Sequence, residues 1–137
     1  MKELDIEAKI EKLDDVLAFV DGILEEAECS PKVQVQIDIA VEEIFVNIAH
    51  YAYAPNEGRA LIKAGVTGDP ALFLIEFSDA GTPYNPLAKE DPDVTLSAED
   101  RPIGGLGIFM VKKSMDSVDY EYRDGRNVLT ITKGITK

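Results

Sequence analysis

The sequence predicts an α+β fold, a two-layer sandwich in which a mixed, mostly antiparallel sheet carries three helices on one face. Three observations lead there. The hydrophobic period switches from two to about 3.6 near Lys9, two hairpin patterns follow later in the chain, and a glycine cluster opens a further amphipathic segment. At 137 residues the chain fits one domain, 1–137, and it contains no internal repeat, linker or low-complexity stretch.

Leu4, Ile6 and Ala8 alternate with charged residues and describe a first strand with one face on a core. Ile10, Leu13, Val16, Leu17, Val20, Ile23 and Leu24 recur at helical spacing, so Glu11 to Glu28 reads as an amphipathic helix with its acidic face in water. Ser30-Pro31 supplies an N-cap and a first-turn proline for a second helix, which runs to about Tyr53 and stops in the turn residues Ala54 to Gly58. Ala60 to Val66 and Ala71 to Phe77 read as strands joined by Thr67-Gly68-Asp69-Pro70, an antiparallel hairpin. The stretch 84–103 is polar and rich in proline and acid, with at most a short helical turn near Ser97-Ala98-Glu99-Asp100. A connection of roughly twenty residues is either a disordered insertion or a functional lid. Gly104-Gly105-Leu106-Gly107 opens the third helix, with Ile108, Met110, Val111 and Met115 facing inward and an end near Ser114 or Asp116. Val118, Tyr120 and Tyr122, then Val128, Leu129 and Ile131, form a closing hairpin about Arg123-Asp124-Gly125-Arg126.

A net charge of -12 and a pI near 4.4 argue against nucleic acid or an anionic membrane surface as partner, because counterion release needs clustered Lys and Arg. Any phosphate ligand must then be held by local dipoles and a metal ion against an unfavourable overall field. No apolar run approaches the ~20 residues of a membrane span, and Met1 to Asp5 lacks the basic and apolar segments of a signal peptide. The single cysteine, Cys29, excludes an internal disulfide and is read as a packing or surface residue. A cytoplasmic location is the expectation.

Three polar islands interrupt the apolar patterns. Glu43 and Asn47 stand one turn apart on the same face of the second helix, among Ile44, Phe45, Val46 and Ile48. They bind something, face solvent, or satisfy each other. Asp79 and Gly81 follow the second strand of the first hairpin, where a turn with an Asx bond is the plain alternative. Gly104, Gly105 and Gly107 precede the third helix, where a flexible hinge is as good an account as a phosphate cradle. No lysine follows these glycines, so they are not a Walker loop.

Together and in this order, separated by the lid-like loop, the islands resemble the nucleotide site of the ATPase superfamily shared by DNA gyrase, histidine kinases and mismatch-repair proteins, the Bergerat fold. The resemblance spans nearly the whole chain, and the short single-domain layout is similar to the anti-sigma-factor serine kinases. It implies ATP and Mg2+ as cofactors. Glu43-Ile44-Phe45-Val46-Asn47 with His50-Tyr51-Ala52-Tyr53 resembles the N-box, which makes Asn47 the magnesium ligand and Glu43 the general base. Phe77-Ser78-Asp79-Ala80-Gly81-Thr82-Pro83 resembles the second motif, with Asp79 accepting from the adenine amine and Gly81 letting the backbone approach the ring. Gly104, Gly105 and Gly107 resemble the third, in which main-chain amides hold phosphate.

Asn127 and Thr130 on the last strand are expected near the adenine, as polar residues are in the family. Arg101 would reach the γ-phosphate from the lid at 84–103, although a solvated lid arginine is the simpler account. His50, a lone histidine, is more simply packing or surface. Asp38 and Glu42 depart from the family pattern by adding negative charge beside the metal site.

The resemblance implies a serine/threonine protein kinase that transfers the ATP γ-phosphoryl group to a small anti-sigma-factor antagonist. A sigma factor is a possible further partner and a homodimer the implied assembly. The alternative is a catalytically silent, ATP-dependent protein-interaction module. A histidine kinase fits less well, since the chain lacks a separate phosphoacceptor helix pair.

Overall fold

The computed structural model describes residues 1–52, 58–68, 70–85, 87 and 105–135. Strand β1 (Lys2–Glu7) leads through a 3-10 turn (Ile10–Lys12) to α1 (Leu13–Glu26) and α2 (Pro31–Tyr51). Then come the hairpin β2 (Arg59–Thr67) and β3 (Leu72–Asp79), α3 (Gly105–Ser114), and the hairpin β4 (Ser117–Arg123) and β5 (Arg126–Gly134). The sheet has the order β1-β2-β3-β5-β4, and every pairing is antiparallel, so the parallel pair that a mixed sheet would contain is not found among the described strands.

Alternation in the strands decides which face the helices cover. Ile6, Ala60, Ile62, Phe73, Ile75, Phe77 and Ile131 are buried under them, while the intervening positions are less buried and include Asp5, Lys63 and Glu76. On that outer face Arg59 pairs with Asp5 at 2.9 Å and Lys63 with Glu3 at 3.7 Å, exposed contacts that contribute little stability. The helix layer presents Val16, Val20, Ile23 and Leu24 from α1 and Ile37, Ala40, Val41, Ile44 and Phe45 from α2, each set at 3.6-residue spacing. The closing turn places Asp124 and Gly125 at φ 55° and 77°, the left-handed pair a two-residue hairpin turn requires.

Helix ends shift from the expected positions for local reasons. Ile10 belongs to the 3-10 turn, whose tighter winding rotates it off the α1 stripe and leaves it 47% exposed. At the other end Glu28 adopts φ 59°, Glu28 N–H donates to Glu25 and Cys29 N–H to Leu24, a Schellman closure that stops α1 at Glu26. Ser30 Oγ accepts from Val33 N–H at 3.4 Å with Pro31 following, so the N-cap of α2 is where the sequence places it. In α3, Val111 and Met115 are buried but Met110 is 51% exposed, contrary to expectation, because it lies about 200° around the helix from Ile108. Among the described residues no helix is long and apolar enough to cross a membrane.

The inter-helix face holds a carboxylate pair. Asp38 does not add charge beside Asn47, as the sequence suggested, but turns toward α1, where Asp21 and Glu25 stand. Asp21 and Asp38 each bury an oxygen that no donor satisfies among the described residues, a cost that one shared proton removes. Burial first, then the hydrogen bond and charge of Asp21 and the charge of Glu25, push the Asp38 carboxyl up from 3.8 to about 7. The Cys29 thiol is raised too, by burial and then by the Asp38 charge. The folded chain therefore holds a proton that the unfolded chain releases above about pH 4, and stability should fall as pH rises through that range to about 7, then level off. Asp38→Asn is expected to flatten this slope and stabilise the protein at pH 8 by on the order of 1–2 kcal/mol, discounted because the pair is partly solvated. Urea unfolding of both proteins at pH 5 and pH 8 measures it, and parallel pH slopes would exclude the shared proton.

Candidate functional site

Strand parity builds the site. Phe73, Ile75, Phe77 and Asp79 all face the helices, so the apolar row of β3 ends in a carboxylate that is only 4% exposed. Left unpaired, such a group would be costly. It is held at one oxygen: Asp79 Oδ1 accepts from Gly81 N–H at 3.0 Å and from Asn127 Nδ2 at 2.9 Å. The first is the Asx bond expected of a turn, and the second comes from the residue opposite in register on β5. Both of these bonds fall on the same oxygen, Oδ1.

Asn127 is 7% exposed and makes more than one contact. Its Nδ2 also donates to the Thr82 carbonyl at 2.9 Å, while its Oδ1 accepts from Tyr84 N–H at 3.1 Å and from the Tyr120 hydroxyl. Burial pushes the Tyr120 phenol up, the Tyr84 backbone hydrogen bond pulls it down, and the Asp79 charge raises it again. Thr130, expected beside Asn127, is a correction. Three residues further along a strand reverses the parity, and Thr130 lies on the outer face with Glu76 and Asp119 as its register partners. Tyr84 and Tyr120 are site residues that sequence reasoning missed. Tyr120 shares the inward parity of Val118 and Leu129, a signal that only a known register turns into a position.

The opposite wall is α2. Ile44, Asn47 and Ile48 from α2, Ile108 from α3, and Asp79 and Asn127 from the sheet line one pocket. Glu43 and Asn47 stand one turn apart in α2, and among the described residues no hydrogen bond joins them. Gly81 has a reason beyond ligand approach: a Cβ there would collide with the Ala52 carbonyl and come within 2.8 Å of the Ala52 side chain. Thr82 N–H donates to that same carbonyl at 2.8 Å, which fastens the turn after β3 to the end of α2.

Gly105 is the first residue of α3, and Gly107 lies in its first turn directly against the Glu43 carboxyl group, where a Cβ would fall within 2.7 Å of Glu43 Cδ. The expected catalytic carboxylate and the expected phosphate-binding helix start are therefore neighbours. Gly107→Ala should push the flexible carboxyl end of Glu43 aside at little cost to the fold, because the clash is with a side-chain tip rather than with backbone, while nucleotide-dependent activity falls. Chemical denaturation and an activity assay on the same preparation check both parts. Gly104 and Arg101 lie outside the described residues, as does nearly all of the lid at 84–103. His50 is exposed and lines a separate groove with Lys9 and Lys12.

The donor set suits a nucleotide better than a bare ion. Among the described residues no three His, Cys, Asp or Glu side chains converge as a metal cluster. An amide oxygen such as that of Asn47 suits magnesium when phosphate and water complete the coordination. A buried carboxylate held at one oxygen, an apolar pocket beside it and a helix start beyond it are the parts that hold an amine-bearing base and a phosphate chain.

Comparison with known proteins identifies the family and the fold. Residues 6–133 match the sequence model of the histidine kinase-like ATPase domain. The serine/threonine-protein kinase BtrW of Bordetella bronchiseptica is 25% identical over 118 residues, 86% of this chain and 82% of that protein. The serine-protein kinase RsbW of Bacillus cereus is 26% identical over 137 residues, 98% of this chain and 85% of that one. Among solved structures, the RsbU and RsbW domains of Rv1364c from Mycobacterium tuberculosis match with a TM-score of 0.69 at 17% identity, over 100% of this chain and 33% of that one. A chain of the SiaB-SiaC complex from Pseudomonas aeruginosa matches with a TM-score of 0.62 at 14% identity, over 97% and 89%. At such identities the structural likeness speaks to the fold alone.

Proposed function

Because this chain belongs to the histidine kinase-like ATPase domain family, we propose that it is an ATP-binding serine/threonine protein kinase of the anti-sigma-factor type. Its acceptor is a hydroxyl on a small antagonist protein. The observation that carries the reading is the convergence of Asn47 and Asp79 on one pocket, with Glu43 packed on the first turn of α3 beside it. The names of BtrW and RsbW as serine or serine/threonine kinases support the choice of reaction.

In this reading Asp79 Oδ2 accepts from the exocyclic amine of adenine, and guanine, with a carbonyl there, leaves the buried oxygen opposed by a second acceptor. Backbone N–H groups at the start of α3, with Gly104, Gly105 and Gly107 keeping the approach open, donate to phosphate oxygens. Asn47 offers its amide oxygen to magnesium, which when bound neutralises charge on the phosphates. Glu43 takes the proton from the attacking serine or threonine hydroxyl as its oxygen bonds to the γ-phosphorus and the bond to the ADP oxygen breaks. Arg101 from the lid would contact the γ-phosphate. A sigma factor and a second copy of the chain are the further partners this reading brings.

Incubation with magnesium, ATP labelled on the γ-phosphate and the antagonist protein is expected to place label on a serine or threonine of that protein. ATP bound without any label transferred would leave the interaction module as the correct reading. No ATP binding at all would remove both.

A further inference from the structure

Asn127 was expected to meet the adenine, yet its hydrogen-bonding capacity is already spent. A side-chain amide has two N–H donors and two carbonyl lone pairs. Here the donors go to Asp79 Oδ1 and the Thr82 carbonyl, and the lone pairs receive Tyr84 N–H and the Tyr120 hydroxyl. The partners also fix which way the amide points. Reversing it would set its oxygen against a carboxylate and a carbonyl and its N–H groups against a backbone N–H, so only one orientation is satisfied.

We infer that Asn127 is a positioning residue that sets base selectivity without touching the base: it orients Asp79 and, together with Tyr120, ties residues 82–84 to the sheet. The inference rests on the ATP reading above. With Oδ1 doubly engaged by Asn127 and Gly81, the Asp79 carboxylate cannot turn, and Oδ2 alone is presented to the pocket as an acceptor. A carboxylate free to rotate would recruit water or another donor and read the amine of adenine less strictly. Tyr84 follows the turn after β3, so the same amide also anchors the chain five residues beyond the end of that strand.

The test uses the full chain as wild type, Asn127→Val and Tyr120→Phe. Amide hydrogen exchange is followed at Gly81 and Tyr84 without ligand, and MgATP and MgGTP binding are measured by calorimetry. In Asn127→Val both amides should exchange at least about tenfold faster, and MgATP binding should weaken by about tenfold or more with a several-fold smaller preference over MgGTP. Tyr120→Phe removes one of the four bonds and should move the preference the same way by about two- to fivefold. A lowered melting temperature with the ATP-to-GTP ratio unchanged would be a merely structural role and would overturn the inference. Should Asn127→Val not fold, an unchanged ratio in Tyr120→Phe overturns it equally. A wild-type chain that binds neither nucleotide would instead refute the ATP reading and the inference with it, a result distinct from a selective wild type with an equally selective variant.

Discussion

Glu43→Gln should lower phosphoryl transfer by about 10²–10⁴ while leaving MgATP affinity within a few-fold of wild type. Glutamine keeps the shape that packs on Gly107, so the contact between α2 and α3 survives. It removes the group that accepts the hydroxyl proton. Glu43 lies beside the pocket rather than at the end where Asp79 and Asn127 stand, the end proposed to take the base, and this predicts a loss in turnover and not in binding. Single-turnover transfer of labelled phosphate, paired with calorimetric ATP binding, separates the two quantities. Transfer at the wild-type rate would remove Glu43 from the chemistry.

Asp79→Asn is expected to abolish the stabilisation that MgATP confers. At 100-fold over Kd a ligand adds about 2.7 kcal/mol, which for a domain of this size raises the melting temperature by about 10 °C. Asparagine can keep its oxygen facing Gly81 N–H and Asn127 Nδ2, so the turn is retained. Its NH2 group then replaces Oδ2 and presents donors where the adenine amine also donates. The variant should fold, lose the MgATP-dependent shift, and gain ground with MgGTP, whose carbonyl matches a donor. Thermal unfolding of both proteins with each nucleotide reports this directly. A full shift with MgATP in the variant would place adenine recognition elsewhere.

The two substitutions draw on different kinds of legibility. Glu43 and Asn47 were visible as polar residues one turn apart on an apolar helix, because the helical period is a local property. Asp79 was visible as an acid directly after an alternating strand. What the alternation did not reveal was how β3 and β5 align, and with it that Asn127 stands opposite Asp79. Thr130 looked equivalent to Asn127 in sequence and proved to lie on the outer face, since cross-strand neighbours depend on register and a three-residue step inverts the side. Met110 failed for the analogous helical reason: in a ten-residue helix two inward stripes look alike until a neighbour covers one. Ile10 failed because 3-10 winding and α winding share an apolar pattern over three residues.

By itself the sequence determined the element order, the N-cap of α2, the two hairpins and the succession of three polar islands, because each follows from spacing, turn chemistry and side-chain type within a few residues. Tertiary structure alone decided which of those residues meet. Gly107 lies under the Glu43 carboxyl, Gly81 against the Ala52 carbonyl, Asp38 beside Asp21, and Tyr120 and Tyr84 on Asn127. Apart from Tyr120 on Asn127, which face each other across the β4–β5 hairpin, each is a contact between segments remote in the chain, created when sheet register and helix packing bring them together, and no local pattern encodes the distance between those segments.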